Sequence, residues 1–462
     1  MATPTPTPPA VEARRAILAV SGLLGLAVVA VALLRVLLAP QWDEEVLPLV
    51  EFVESARGLE FEEPVRIERI DVNAALVEGN DGHWQEDATS FDPTLHAYAL
   101  LGLIDPPGTE ANVARATQAT AAGLADGFYD HHDKTIYINS EMPETLVPML
   151  LVHELVHALQ DQHGLLDAWS ASTETQSVLV ALVEGDARRI ENIYWESLTE
   201  SEREAYRATA QIGEWVDRPN TFFEASFTAS YVLGPPAVEA IVDEGGPEAL
   251  DRMLRNGHVG SAERLVDPFG PSMYPSLHAQ QQMASLAAQG FSPARSIGAL
   301  NWYRALAPRL GTEGALAAVI GYDDDAYRIV ETDGANCVEF VLLFDNADEG
   351  AEFLELVAGV GLAARYSDPT EARPPILMEV CEPIGSPDDQ RHGTVSPLFQ
   401  SSNLAVAHLE AGLSREVARC AAHAQAGSLS ASLPATEGPS FDDLLRDSAP
   451  WIATCQATSA DR

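Results

Sequence analysis

The sequence predicts an α+β protein that has a mainly helical domain with a small edge sheet and a smaller α+β domain after it. Three observations support this prediction. Long segments with apolar residues at helical spacing dominate residues 43–266. Short segments that alternate apolar and polar residues occur in both halves of the chain. A stretch rich in Pro, Gly and Ser at 267–298 is typical of a linker, and a length of 462 residues accommodates two or three domains.

The N-terminal segment predicts a membrane anchor. Residues 1–15 are rich in Pro and Thr, and we expect them to form a disordered cytoplasmic tail. Residues 16–34 carry no charge, so a transmembrane helix over 16–38 is long enough to cross a bilayer. Two arginines precede this segment and three acidic residues follow it, which places the rest of the chain outside the cytoplasm. A cleaved signal peptide is the alternative interpretation.

The first elements after the anchor alternate between helix and strand. The patterns predict a helix over 46–61, a short strand over 64–70 and a hairpin over 127–139. Two long helices are predicted next, one from Pro143 to about Gln162 and one over 170–197.

The predicted C-terminal domain, 299–462, combines strands, a helix and all four cysteines. Alternating apolar residues predict strands at 326–331, 337–344 and 376–384, with a helix over 348–359. An even number of cysteines in one region of an exported protein indicates two disulfides, and three pairings are possible. Four buried free thiols are the alternative. The cysteines are Cys337, Cys381, Cys420 and Cys455.

The composition excludes one class of partner. The chain has 69 acidic and 27 basic residues, and its formal net charge is −42. A field of this sign repels phosphate backbones, so we expect no binding of nucleic acid.

The segment LLVHELVHALQDQH at 150–163 is the strongest chemical signal in the chain. Its histidines, His153 and His157, are four residues apart, so both imidazoles project from one helix face and can bind one metal ion. Glu154 lies one step around the helix, where it can reach water at the metal without binding the ion. A pair of buried structural histidines is the alternative interpretation.

A catalytic zinc site usually has a third protein ligand, and Glu184 is the best candidate. It follows six consecutive apolar residues, and a buried carboxylate needs a partner inside the protein. The adjacent Gly185 indicates close approach of another backbone. His163 is the rival ligand, but no glycine turns the chain between it and His157, so we expect it to point away from the metal. An ion pair between Glu184 and a neighbouring arginine is also open.

These motifs resemble those of the gluzincins, metallopeptidases that combine His-Glu-x-x-His with a glutamate from a second helix. More narrowly, the segments GFYDHHDKTIYI, HELVHALQDQH and ALVEGDA resemble a group of membrane-anchored, mostly uncharacterised bacterial proteins of this class. The resemblance implies a zincin-like catalytic domain and a tyrosine that stabilises the oxyanion, for which Tyr231 is the candidate. The chain departs from the thermolysin pattern at Arg188, where an acidic residue is usual.

The sequence therefore predicts a membrane-anchored zinc metallopeptidase that binds one zinc per chain. His153, His157 and Glu184 are the expected ligands, Glu154 is the expected general base, and a peptide or protein is the expected substrate. A zincin-fold binding or sensory protein, whose metal site is occupied but catalytically idle, is the alternative.

Overall fold

The computed structural model describes residues 42–72, 74–75, 93–106, 126–168, 173–210, 222–257, 263–270, 277–292, 295–385, 396–428 and 441–460. Helices dominate these residues and two small sheets accompany them, which is consistent with the predicted α+β class. The predicted tail at 1–15 and the predicted span at 16–38 lie outside the described residues.

A three-stranded sheet forms the first layer of the fold. The central strand β3 (Thr135–Asn139) pairs in parallel with β1 (Arg66–Ile70) and antiparallel with β2 (Gly127–Asp130), so β1 and β2 are the edges. The predicted hairpin over 127–139 is confirmed by β2 and β3. The elements of this part are α1 (Leu47–Arg57), β1 (Arg66–Ile70), α2 (Pro93–Leu100), β2 (Gly127–Asp130) and β3 (Thr135–Asn139).

The sheet packs against the first of six further helices. Ile136 and Ile138 of β3 are buried in one apolar cluster with Leu151 and Leu155 of helix α3 (Val147–Gln162) and with Val53 of α1. The two predicted long helices are confirmed as α3 and α4. These helices are α3 (Val147–Gln162), α4 (Thr173–Ser197), α5 (Glu200–Ala210), α6 (Phe222–Gly245), α7 (Pro247–Asn256) and α8 (Glu263–Val266).

Helices α4 and α6 cross at two glycines. A Cβ atom on Gly185 would lie 2.4 Å from the carbonyl carbon of Gly234, and one on Gly234 would lie 2.1 Å from the backbone oxygen of Ala181. Only a residue without a side chain permits this approach, since both contacts are with backbone atoms. The close approach expected at Gly185 is therefore present.

A second sheet lies in the C-terminal half of the chain. It is antiparallel, with the strand order β4 (Tyr322–Thr332), β5 (Ala335–Phe344), β7 (Ile376–Val380) and β6 (Ala364–Tyr366). The three strands and the helix predicted here are confirmed. The disulfides pair Cys337 with Cys381 and Cys420 with Cys455, as one of the three possible arrangements. The elements are α9 (Leu277–Ala288), α10 (Ala299–Val319), β4 (Tyr322–Thr332), β5 (Ala335–Phe344), α11 (Ala347–Gly359), β6 (Ala364–Tyr366), β7 (Ile376–Val380), α12 (Ser396–Glu410), α13 (Arg415–Gly427), α14 (Phe441–Arg446) and α15 (Ala449–Ala460).

The largest buried apolar cluster contains residues from both sides of the segment predicted to be a linker. Leu182 and Leu233 contribute from one side, and Trp302 and Phe340 from the other. The segment 267–298 itself contains helix α9. The division of the chain at this segment stays a prediction.

The structure corrects the prediction of a membrane protein. Among the helices that it describes, none is long and apolar enough to cross a membrane. The longest, α4, fails because charged residues occur along much of its length. The predicted transmembrane anchor, the membrane as a partner and the single-pass membrane localisation are corrected on this finding, since no described helix supports them.

Candidate metal centre

Three of the predicted site residues lie together where α3 packs against α4. The Nε2 atoms of His153 and His157 are 3.1 Å apart, and Glu184 Oε2 lies 3.2 Å from the first and 3.4 Å from the second. A tetrahedral ion with nitrogen and oxygen ligands at about 2.0–2.1 Å separates its ligand atoms by about 3.3 Å. The donor atoms and their spacing therefore fit a zinc ion.

The helix geometry explains why these side chains meet. The two histidines are four residues apart, so they lie on one face of α3, and that face is turned towards α4. The glycine contact between α4 and α6 is formed at Gly185, the residue next to Glu184. Each of the three side chains is largely buried, with 9% to 17% of its surface exposed.

Glu154 is buried beside the histidines and contacts the sheet. Only 5% of the residue is exposed, and its carboxylate accepts a hydrogen bond from the backbone N–H of Tyr129 on β2. Burial raises the pKa of this carboxyl group above its ordinary value, and the nearby histidines oppose that shift. A carboxylate with a raised pKa is suited to accept a proton and pass it on.

His153 is oriented by an acidic residue that the sequence analysis missed. Its Nδ1 atom lies 3.2 Å from Glu191 Oε2, and the Glu191 carboxylate also accepts two hydrogen bonds from Arg188 Nη1, at 2.6 and 2.7 Å. Because a carboxylate only accepts, the contact with Glu191 places a proton on Nδ1, and Nε2 is the nitrogen that faces Glu184 and would bind a metal ion once its own proton is displaced. The available signal was the spacing, since Glu191 lies two helical turns after Glu184 and shares its face.

His157 is oriented by an amide that the sequence analysis did not assign. Its Nδ1 atom lies 2.9 Å from Gln160 Oε1, one turn further along α3. Gln160 Nε2 in turn donates to the backbone oxygen of Val183 and to Asp186 Oδ2, at 3.1 and 2.9 Å. Both histidines are therefore held through their Nδ1 atoms, as is usual for metal ligands.

Tyr231 of α6 lies against this group. Its ring is stacked on that of His153, with the centroids 5.9 Å apart, and its hydroxyl donates a hydrogen bond to the Glu184 carboxylate. Burial, followed by the negative charges of Glu184 and Glu154, raises the pKa of this hydroxyl well above its ordinary value. The hydroxyl therefore stays protonated and can act as a donor.

The rival ligand His163 lies away from the cluster. It follows the last residue of α3, and its Nε2 atom lies 2.9 Å from the backbone oxygen of Glu60, to which an N–H there would donate. In the hydrogen bonds described, Asp161 does not contact the imidazole of His153 or of His157. Its carboxylate accepts from Tyr129 and Lys134 instead, at 2.6 and 2.7 Å.

The ionisation of the cluster reflects its buried opposite charges. Burial lowers the pKa of His153, but hydrogen bonds to Glu184 and Glu191 outweigh burial and raise that pKa to about 10. Burial raises the pKa of Glu184, and the two histidines overcome this effect and hold it below its ordinary range. A metal ion must displace the proton of His153, so metal binding and proton binding compete at this cluster.

One other group in the described residues has metal-ligating atoms close together, namely Cys337, Glu379 and Cys381. Its two sulfur atoms are joined in a disulfide, so they are not available as thiolate ligands. The histidine–glutamate cluster is therefore the stronger candidate.

Comparison with known proteins agrees with this chemistry at a coarse level. No curated protein and no solved structure matches the chain significantly. Residues 109–240 match the model of a family described as "Putative metallopeptidase family (DUF6782)". The matched segment contains the hairpin, α3, α4 and Tyr231, and it covers less than a third of the chain. The match supports a metallopeptidase, an activity that implies a metal ion.

Proposed function

We propose that the protein is a zinc-dependent peptidase of the gluzincin type in which His153, His157 and Glu184 hold the metal. The observation that carries this proposal is the triangle of donor atoms with sides of 3.1, 3.2 and 3.4 Å. These are the separations that a tetrahedral zinc ion imposes on nitrogen and oxygen ligands. The metallopeptidase family match supports the same activity.

Glu154 is the proposed general base. Zinc, when bound, lowers the pKa of water and polarises a substrate carbonyl. Glu154 takes the proton from the attacking water and passes it to the amine of the leaving group. Its burial and its raised pKa support this role, because a base of ordinary acidity would hold the proton too weakly to transfer it.

Tyr231 is the proposed donor to the oxyanion. Its hydroxyl lies against Glu184, and its high pKa keeps the proton on the oxygen. A buried neutral donor aimed at the reacting carbonyl stabilises negative charge as it develops there. This role needs the hydroxyl to turn from Glu184 towards the substrate.

The edge strand β2 is the proposed place for an extended peptide or protein substrate. It pairs with β3 on one side only, and Tyr129 at its centre donates its backbone N–H to Glu154. The unpaired side of the strand therefore faces the general base. A peptide that adds to an exposed strand edge gains main-chain hydrogen bonds and brings its own carbonyl groups to that side.

The test is the substitution Glu154→Gln, which keeps the shape of the side chain and removes the proton acceptor. We expect full zinc content, an unchanged fold, and cleavage of a diverse peptide library reduced by orders of magnitude. Glu144→Gln is the control, because it makes the same chemical change at an exposed carboxylate outside α3. Zinc content is measured by metal analysis and the fold by circular dichroism.

Two outcomes would contradict the proposal. If the wild-type protein holds zinc and cleaves no peptide, the proposed peptidase activity is wrong and the result favours the alternative, a binding protein with a catalytically idle metal site. If Glu154→Gln cleaves as fast as the wild type, another residue is the base and the proposed mechanism is wrong.

A further inference from the structure

A buried chain of polar contacts connects His157 to the N-terminal helix α1. Gln160 lies between His157 and Asp186, and Asp186 Oδ2 also accepts a hydrogen bond from Arg57 Nε at 2.8 Å. Gln160, Asp186 and Arg57 are 0%, 1% and 4% exposed, respectively. Arg57 also pairs with Asp251 of α7. The contacts thus join four helices that are far apart in sequence.

The contacts determine which way the Gln160 amide points. Its nitrogen faces the Val183 carbonyl and the Asp186 carboxylate, and both of these groups only accept hydrogen bonds. The amide oxygen must therefore face His157, which places a proton on His157 Nδ1. Nε2 of a neutral His157 is then left without a proton, with its lone pair directed at the proposed metal position.

The negative charge of Asp186 is what makes the opposite amide orientation unfavourable. A flipped Gln160 would direct its oxygen at the carboxylate inside the protein, where two acceptors would face each other without a proton between them. Arg57 holds the Asp186 carboxylate in place, because its guanidinium forms a buried ion pair with Asp186 Oδ2 at 2.8 Å.

We propose that Asp186 and Arg57 are positioning residues for the metal site and act on His157 through the amide of Gln160. This inference rests on the proposed function, since it assumes that His157 binds a metal ion. Arg57 and Asp251 lie outside residues 109–240, the segment that matches the family model. The metal site therefore depends on the N-terminal helix α1 as well as on the matched segment.

A structural ion pair that only stabilises the fold is the competing explanation, and a double-mutant cycle distinguishes the two. Gln160→Met removes the link but leaves Asp186 paired with Arg57. Asp186→Asn removes the charge but leaves Arg57 paired with Asp251. We expect Gln160→Met to raise the zinc dissociation constant about 10- to 100-fold, as the loss of a contact that orients a ligand does.

The decisive measurement is the effect of Asp186→Asn in two backgrounds. We expect it to weaken zinc binding about tenfold in the wild type and to have little effect in Gln160→Met, because the link is already broken. The visible spectrum of the cobalt-substituted protein should change in both single variants, since it reports the geometry of the ligands. Arg57→Lys keeps a charge beside Asp186 and should restore most of the affinity that Arg57→Gln loses.

The control breaks a different ion pair on the same helix. Glu239→Gln removes the ion-pair partner of Arg189. In the contacts described, Arg189 has no hydrogen bond to a proposed metal ligand, so we expect this variant to bind zinc with wild-type affinity. Equal losses of affinity for Asp186→Asn in both backgrounds would overturn the inference, as would unchanged zinc affinity and cobalt spectra in the Arg57→Gln variant. A wild-type protein that binds no zinc would instead overturn the proposed function.

Discussion

Two clusters of buried charge lie in different regions of this protein, and they differ in how their charges are balanced. In the candidate metal centre, Glu184 forms ion pairs with two histidines, and the three donor atoms lie 3.1–3.4 Å from one another. The second cluster, which we call the α8–α13 cluster, contains Glu263, Asp267, Arg419 and His423. There Asp267 accepts a hydrogen bond from Arg419 at 2.6 Å and lies 3.3 Å from His423 Nε2.

The difference lies in the partners of the carboxylates. Arg419 can never give up its proton to a metal ion, so Asp267 has a permanent partner and the α8–α13 cluster is a structural ion pair. The two histidines beside Glu184 can lose their protons and turn lone pairs to one point. Convergence of donor atoms, rather than the number of buried titratable groups, therefore separates a candidate site from a structural cluster.

The largest expected difference between the two clusters is in zinc affinity after one carboxylate of each is replaced. We expect Glu184→Ala to lower zinc affinity by orders of magnitude, because it removes one of three ligands. Asp267→Asn should retain zinc, although it weakens the pairing with Arg419 and lowers the melting temperature. Metal analysis after dialysis measures both variants. His163→Ala is a further control, and loss of zinc there with retention in Glu184→Ala would invert the ligand assignment.

The glycine contact beside the metal centre should sharpen the comparison. Gly185→Ala places a methyl group against the backbone of α6, so we expect it to destabilise the fold by about 3 kcal/mol and to weaken zinc binding. Gly359→Ala is the matched control, since a Cβ added there lies more than 4 Å from every heavy atom outside its own helix turn. Chemical denaturation measures both. Equal free energies of unfolding for the two variants would mean that α4 and α6 can move apart without destabilising the fold, and would contradict this prediction.

The α8–α13 cluster should show a pH dependence that a single substitution removes. Burial raises the pKa of Glu263 to about 8, and hydrogen bonding by the Gly321 backbone only partly opposes it. Between about pH 4.5 and 8 the folded state holds a proton that the unfolded state has lost, so this group lowers stability as the pH rises through that range.

We therefore expect Glu263→Gln to match the wild type near pH 5 and to be more stable by about 1–3 kcal/mol at pH 9. Thermal unfolding at both values measures the difference. Glu144→Gln, at an exposed carboxylate, controls for the change in net charge. A gain of the same size at pH 5 would show that titration of Glu263 is not its cause.

The local elements around the site could be predicted from the sequence. Helices α3 and α4, the β2–β3 hairpin and the face shared by His153 and His157 all follow from periodicity, which depends on residues close together in the chain. The need of Glu184 for a buried partner followed from the apolar residues before it. Glu191 could have been predicted from its spacing, because it lies two helical turns after Glu184 on the same face of α4.

The sequence by itself thus determined the helix that carries the histidines and the residue types that can bind a metal. Only the tertiary structure decided that Gln160 faces Asp186, that Arg57 reaches Asp186 across 129 positions of sequence, and which of three disulfide pairings forms. Periodicity identifies the buried face of an element but not the element that packs against it. That choice depends on the packing of the whole chain, which brings α1, α3, α4 and α7 to one place.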